Sequence, residues 1–158
     1  MVAHHDQRGL VADALAQVTQ HRIHLQVQVE AGATVVQLFD TWAGLLDREQ
    51  FEALAVPAAR AVLDGLEVPS IYFAPGAGHA LDLVPGVGAT GYGVDWRIAI
   101  DDAWEVLGEV AVQGNLDPVA VLLRPEPLRA DVRVRQAEQR AGRASALVDR
   151  VLPMLDPP

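Results

Sequence analysis

The sequence predicts an α/β fold built on a parallel sheet, and three observations predict it. Short apolar runs rich in β-branched and aromatic residues recur four times along the chain. A helical pattern or a Gly- and Pro-marked turn stands between each run and the next, which is the signature of βαβ units. The connections are short throughout, and no stretch has linker composition, so residues 1–158 read as a single domain around one core.

Composition narrows the function classes. Apolar residues make up 51% of the chain and charged residues 21%, which is a globular balance. The formal net charge is −9, and all 12 basic residues are Arg, with no Lys anywhere. An acidic surface excludes nucleic-acid backbone as the expected partner. Cysteine is absent, which removes disulfides, thiolate catalysis and Cys-ligated zinc together. No apolar run reaches the ~20 residues of a membrane span, and no signal-peptide pattern opens the chain. The expectation is a soluble cytoplasmic protein with no membrane partner.

In chain order, residues 10–30 read as one long helix. The early apolar positions have helical spacing, whereas Ile23-His24-Leu25-Gln26-Val27-Gln28-Val29 alternates with the period of a strand. The helix reading is adopted because Ala31-Gly32-Ala33 is a C-cap signal and a strand begins directly after it. That strand is Val35 to Phe39, followed by Asp40 and Thr41 in a loop. Asp47, with Gln50 three residues on, starts a second helix by capping-box logic, and its apolar positions run on helical spacing to Leu66. Pro57 lies inside that pattern and predicts a kink or a break.

Ser70 to Ala74 makes the second strand, ending in the Gly-rich turn Pro75-Gly76-Ala77-Gly78-His79, with a short helix over Ala80 to Val84. Thr90 to Trp96 is the third strand. Asp101 caps a short helix to Leu107, Val110 to Gln113 is the fourth strand, and Asp117-Pro118 begins a further helical turn. Pro125 to Gln139 and Ser145 to Leu155 close the chain as helices.

Histidines 4, 5, 21 and 24 lack a second ligand cluster and read as solvated surface, so no metal site is assigned. The arginines from Arg124 to Arg150 are mixed with Glu and Asp and read as a solvated helix face. Parallel α/β sheets bind ligands at the carboxyl ends of their strands. Phe39, Thr41, His79 and Asp95 occupy such ends. Thr41 also reads as a turn cap and Phe39 as core. His79 reads as a residue bonded to the nearby Gly-rich backbone, and Asp95 equally as turn support or site wall.

Four segments, GATVVQLFDTWAGLL, IYFAPGAGH, GYGVDW and VAVQGNLDP, in this order and at these separations, resemble the carboxyl-terminal half of the uroporphyrinogen decarboxylase family. The resemblance runs from about Asp6 to about Gln139. It implies part of a TIM (β/α)8 barrel, about four parallel β/α units, from a cofactor-free and usually dimeric enzyme of haem biosynthesis. That enzyme converts uroporphyrinogen III to coproporphyrinogen III by removing carbon dioxide from four acetate side chains. By resemblance Thr41 matches the Ser or Thr whose hydroxyl meets a substrate carboxylate, and Phe39 an aromatic that lines the cleft. Two positions depart from the family pattern: Pro75 stands where a Lys is usual, and Arg97 where a Thr is usual.

A complete barrel takes ~250 residues, so four β/α units amount to about half of one. The family's amino-terminal half supplies an Arg-rich loop, a central Asp facing the pyrrole N–H groups and a Tyr; its last strand carries a Gly-His-Gly segment. None of these has a counterpart here, so no catalytic residue is assigned to this chain. The expectation is a decarboxylase portion that is inactive alone. The alternatives are a non-catalytic structural remnant, or a relative of the corrinoid-linked methyltransferases, against which the lack of Cys speaks. Open strand edges and an open inner face predict a homo-oligomer or a complementary half barrel as partner, with a porphyrinogen as the implied substrate.

Overall fold

A computed structural model describes residues 7–122. Helix α1 spans Gln7–Glu30 and ends where the sequence says it must. The Gly32 N–H bonds the Val29 carbonyl at 2.9 Å, and the Ala33 N–H bonds Gln28 at 3.0 Å. This is a Schellman closure, and it needs the positive φ of 103° that Gly32 supplies. The alternating pattern over Ile23 to Val29 is thus helical. Leu25 is buried and Val18 and Val29 pack on the core, while Ile23 and Val27 stay exposed.

Strands β1 (Val36–Phe39), β2 (Ser70–Phe73), β3 (Gly91–Val94) and β4 (Ala111–Gly114) form one parallel sheet in sequence order. Among the described residues the outer edges of β1 and β4 have no strand partner. All four strands run the same way, so their carboxyl ends open at one end of the sheet. The row Leu38, Tyr72, Tyr92 and Val112 faces the helices and builds the core with Val36 and Val94. The row Phe39, Phe73, Gly93 and Gln113 faces the other way, and Phe39 is 62% exposed there.

The helical layer is less regular than the periodicity suggests. Asp47 and Gln50 form the predicted capping box: the Gln50 N–H bonds Asp47 Oδ1 at 2.9 Å, and the Asp47 N–H bonds Gln50 Oε1 at 3.2 Å. The helix opens as α2 (Arg48–Gln50), widens to a π turn over Phe51–Ala55, and continues as α3 (Val56–Leu63). The change from π to α geometry falls immediately before Pro57, which therefore stands in the first turn of α3, where a missing N–H is tolerated.

The expected short helix over Ala80 to Val84 is instead a longer 3-10 segment, Ala77–Val87, interrupted at Ala80. Pro85 has no N–H to extend an α-helical ladder through that region. Helix α4 (Ile100–Leu107) is not capped by Asp101: its N-cap is Ala99, without a side-chain bond. Ile100 is buried and is drawn into the first turn. Asp101 and Asp102 then sit where carboxylates favour the amide dipoles. Helix α1, α3, the 3-10 segment and α4 pack side by side in that order over one face of the sheet.

No described helix is long and apolar enough to cross a membrane. The helices expected over 125–139 and 145–155, the Arg-rich face and His4 and His5 lie outside the described residues. His21 and His24 are exposed and bond within α1, to the Gln17 carbonyl and the Gln28 carboxamide.

Candidate functional site

The carboxyl ends of the four strands carry loops that are tied to one another. After β1, the Asp40 N–H extends the ladder to the Phe73 carbonyl at 2.8 Å, and the Asp40 carbonyl accepts from the Ala43 N–H at 3.2 Å. Residues 40–43 are thus a turn with Thr41 and Trp42 at its tip, both exposed. Phe39 stands beside this turn, edge-on to Phe73 with ring centroids 6.0 Å apart. The Phe73 ring lies over Gly93, where a Cβ would come within 2.6 Å of it.

Behind the turn, Gly44 lies against the Gly-rich turn after β2, so close that a Cβ would stand 2.1 Å from the Pro75 oxygen. His79 Nε2 donates to the Leu46 carbonyl at 2.8 Å, so its partner is the loop after β1 and not the Gly-rich backbone beside it. Arg48 grips Asp82 through both guanidinium nitrogens at 2.6 Å. Those bonds hold the Asp82 carboxyl below its ordinary range, although the pair is fully solvated.

Asp95, at the end of β3, is only 6% exposed. Its Oδ2 accepts from the Gly76 N–H at 2.6 Å and from Arg97 at 2.9 Å, and its Oδ1 accepts from the Arg97 N–H at 2.9 Å. Both oxygens are thereby committed to holding the β2 and β3 loops together. The Arg97 guanidinium also stacks 3.8 Å above the Trp96 ring, an arrangement a Thr cannot make. Asn115 is buried beyond β4 and donates to the Ile98 carbonyl at 2.6 Å, joining the last two loops. Asp117 accepts from the Val119 N–H at 2.8 Å and starts the 3-10 turn Pro118–Leu122.

Phe39, Thr41, His79, Asp95 and Asn115 therefore all stand at one end of one sheet. Phe39 and Thr41 are presented outward, whereas His79 Nε2, the Asp95 carboxylate and the Asn115 carboxamide are engaged in joining the loops. Among the described residues no cluster of three His, Asp or Glu is placed to hold a metal. What this end can do chemically is present an aromatic face and a hydroxyl. Among the described residues it has no unengaged buried acid to donate a proton.

A bond that the periodicity did not reveal lies just beneath. The Tyr72 hydroxyl donates to Asp40 Oδ2 at 2.9 Å. A tyrosine in the core row of a buried strand is itself the signal, because a buried phenol needs a partner. Burial first, and the neighbouring Asp40 carboxylate second, push the Tyr72 phenol far above its ordinary value; burial also raises Tyr92.

With no Lys or Cys in the chain, these two tyrosines are the side chains whose ordinary, unfolded-chain values lie between pH 9 and 12. Above about pH 10 the unfolded chain releases the Tyr72 proton and the folded chain keeps it. The contribution of each raised phenol should thus be fully present below pH 10 and fall by about 1.4 kcal/mol per pH unit above it, for as long as that phenol stays protonated in the folded chain. Urea midpoints from pH 8 to 11.5 measure the slope, and Tyr72→Phe should flatten it.

The family model for uroporphyrinogen decarboxylase (URO-D) matches residues 3–145. The uroporphyrinogen decarboxylase of Salinispora tropica is 44% identical over 154 residues, covering 93% of this chain and 41% of that protein. That of Carboxydothermus hydrogenoformans is 39% identical over 135 residues, covering 83% of this chain and 37% of its own length. That of Myxococcus xanthus is 39% identical over 141 residues, covering 85% and 40%. The chain thus spans about two fifths of the length of the relatives it matches. With four parallel strands in sequence order, helices between them and a family match over most of its length, this chain belongs to the uroporphyrinogen decarboxylase family.

Proposed function

We propose that this chain forms one wall of a uroporphyrinogen-decarboxylating barrel and acts only when a complementary β/α half closes it. In this reading the Thr41 hydroxyl meets a substrate carboxylate, and Phe39 packs on the porphyrinogen. Removal of a pyrrole acetate as carbon dioxide requires a proton delivered to the ring and a negative group near the pyrrole N–H atoms to stabilise the cation. Asp95 does not supply these, because both its oxygens are engaged in joining loops, and His79 has its Nε2 committed to the Leu46 carbonyl. The acid, the counter-charge and the arginines that orient the acetates come from the complementary half.

The observation that carries the reading is the contrast at the strand ends. An aromatic that is 62% exposed and an outward turn bearing Thr41 stand above carboxylate and imidazole groups that are spent on structure. The edges of β1 and β4, which have no strand partner among the described residues, support the closing partner, which is another chain or another part of a longer product.

The test is coproporphyrinogen formation by the purified chain, with and without an amino-terminal half of a family member supplied in trans. The chain alone should match a heat-killed control, and the mixture should exceed it by several powers of ten. Product from the chain alone removes the need for a partner. Silence of the mixture, despite a complex seen by light scattering, assigns the chain to a non-catalytic structural role. A clean monomer at tens of micromolar, with no binding to the added half, removes the association.

A further inference from the structure

Two backbone bonds fix the ends of the Asp40–Ala43 turn: the Asp40 N–H on the Phe73 carbonyl holds its start to strand β2, and the bond from the buried Ala43 closes it. A third tie is made by a side chain. Tyr72 is fully buried, with 0% exposure, in the core row between Leu38 and Tyr92, so its ring has one position. Its hydroxyl reaches out of that row to the half-buried Asp40 carboxylate at 2.9 Å. A phenol donating to a carboxylate is a charge-assisted bond, stronger than the neutral bonds around it. The raised phenol value keeps Tyr72 protonated over the whole working pH range, so it remains the donor. Without it, a half-buried carboxylate loses its donor and must turn towards water, and the turn that carries it follows.

We propose that Tyr72 is a positioning residue that acts through Asp40 to aim the turn bearing Thr41 into the mouth of the barrel. Its effect on substrate rests on the reading of Thr41 as a substrate contact; its effect on the turn does not. Tyr92 sets the contrast: it lies in the same core row, but its hydroxyl donates to the Pro85 carbonyl at 3.3 Å, away from the turn.

The experiment has two arms. In the first, the backbone amides of Thr41 and Trp42 and the Trp42 indole N–H are followed by NMR in the isotope-labelled chain. Tyr72→Phe, which keeps the ring and deletes the hydroxyl, should move these resonances, and Tyr92→Phe should leave them in place. Asp40→Asn, which keeps an oxygen to accept the bond, should stay near the wild type. Asp40→Ala should move them as Tyr72→Phe does, and the double variant no further. If Tyr72→Phe fails to fold, the Asp40 pair at the rim decides the matter.

In the second arm, the completed barrel is assayed with uroporphyrinogen. Tyr72→Phe should raise KM by about tenfold or more and leave kcat within about threefold, because it removes aim and no reacting group. Unmoved Thr41 and Trp42 resonances in Tyr72→Phe overturn the proposal whatever the kinetics. So does a loss confined to kcat. A completed wild-type barrel that is inert sinks the substrate reading alone, and the resonances then decide the positioning role.

Discussion

Gly44→Ala should cost about 3 kcal/mol or more of stability, a large effect for the addition of one methyl group. A Cβ at that position would stand 2.1 Å from the Pro75 carbonyl oxygen and 2.9 Å from the Gly76 carbonyl carbon. Both are backbone atoms, and their own turn is pinned by the Gly76 N–H on Asp95. No side chain can swing aside to make room, so one loop must leave the other. The separation would also release His79 from Leu46, because that bond spans the same two loops. Urea unfolding of the variant measures the loss. A midpoint corresponding to less than about 1 kcal/mol would mean that the two loops do not touch as described.

The second large effect is expected at Phe51, whose side chain has 0% exposure. It sits at the start of the π turn, within the core shared by the helices and the sheet. Phe51→Ala should cost about 3–5 kcal/mol, from lost burial and from the cavity left behind. Phe51→Leu should recover much of that loss, because it refills most of the volume. Thermal or urea midpoints of the two variants give the comparison, and equal midpoints would place the ring outside the core. The position matters for the strand ends as well. Arg48, three residues earlier, carries the ion pair to Asp82 that ties this helix to the 3-10 segment.

Several elements were legible because the information lay within a few residues. The Asp47–Gln50 box could be read directly, since a cap needs only a side chain and the amide three positions on. The end of α1 at Gly32 was legible for the same reason, even though the apolar residues before it alternated like a strand. The four strands were found within a residue or two, because parallel strands covered by helices show as short apolar runs. The start of α4 was misplaced by one residue because the packing of Ile100 outweighed the capping preference of Asp101. Pro57 marked where the helix changes character, whereas the π turn that precedes it had no signal in local preference.

The roles of residues at the strand ends divide in the same way. The sequence by itself determined that four strand tips would share one end of a parallel sheet, because hydrophobic period and turn residues are properties of short segments. It also placed Phe39, Thr41, His79 and Asp95 at that end. Only the tertiary structure decided which of them face outward and which are spent on holding loops together. Asp95 is claimed by a turn 19 residues away, His79 by a loop 33 away and Tyr72 by Asp40 at a separation of 32. A hydrogen bond depends on a distance of about 3 Å and an angle. No spacing along the chain specifies either until the sheet has brought the two segments side by side.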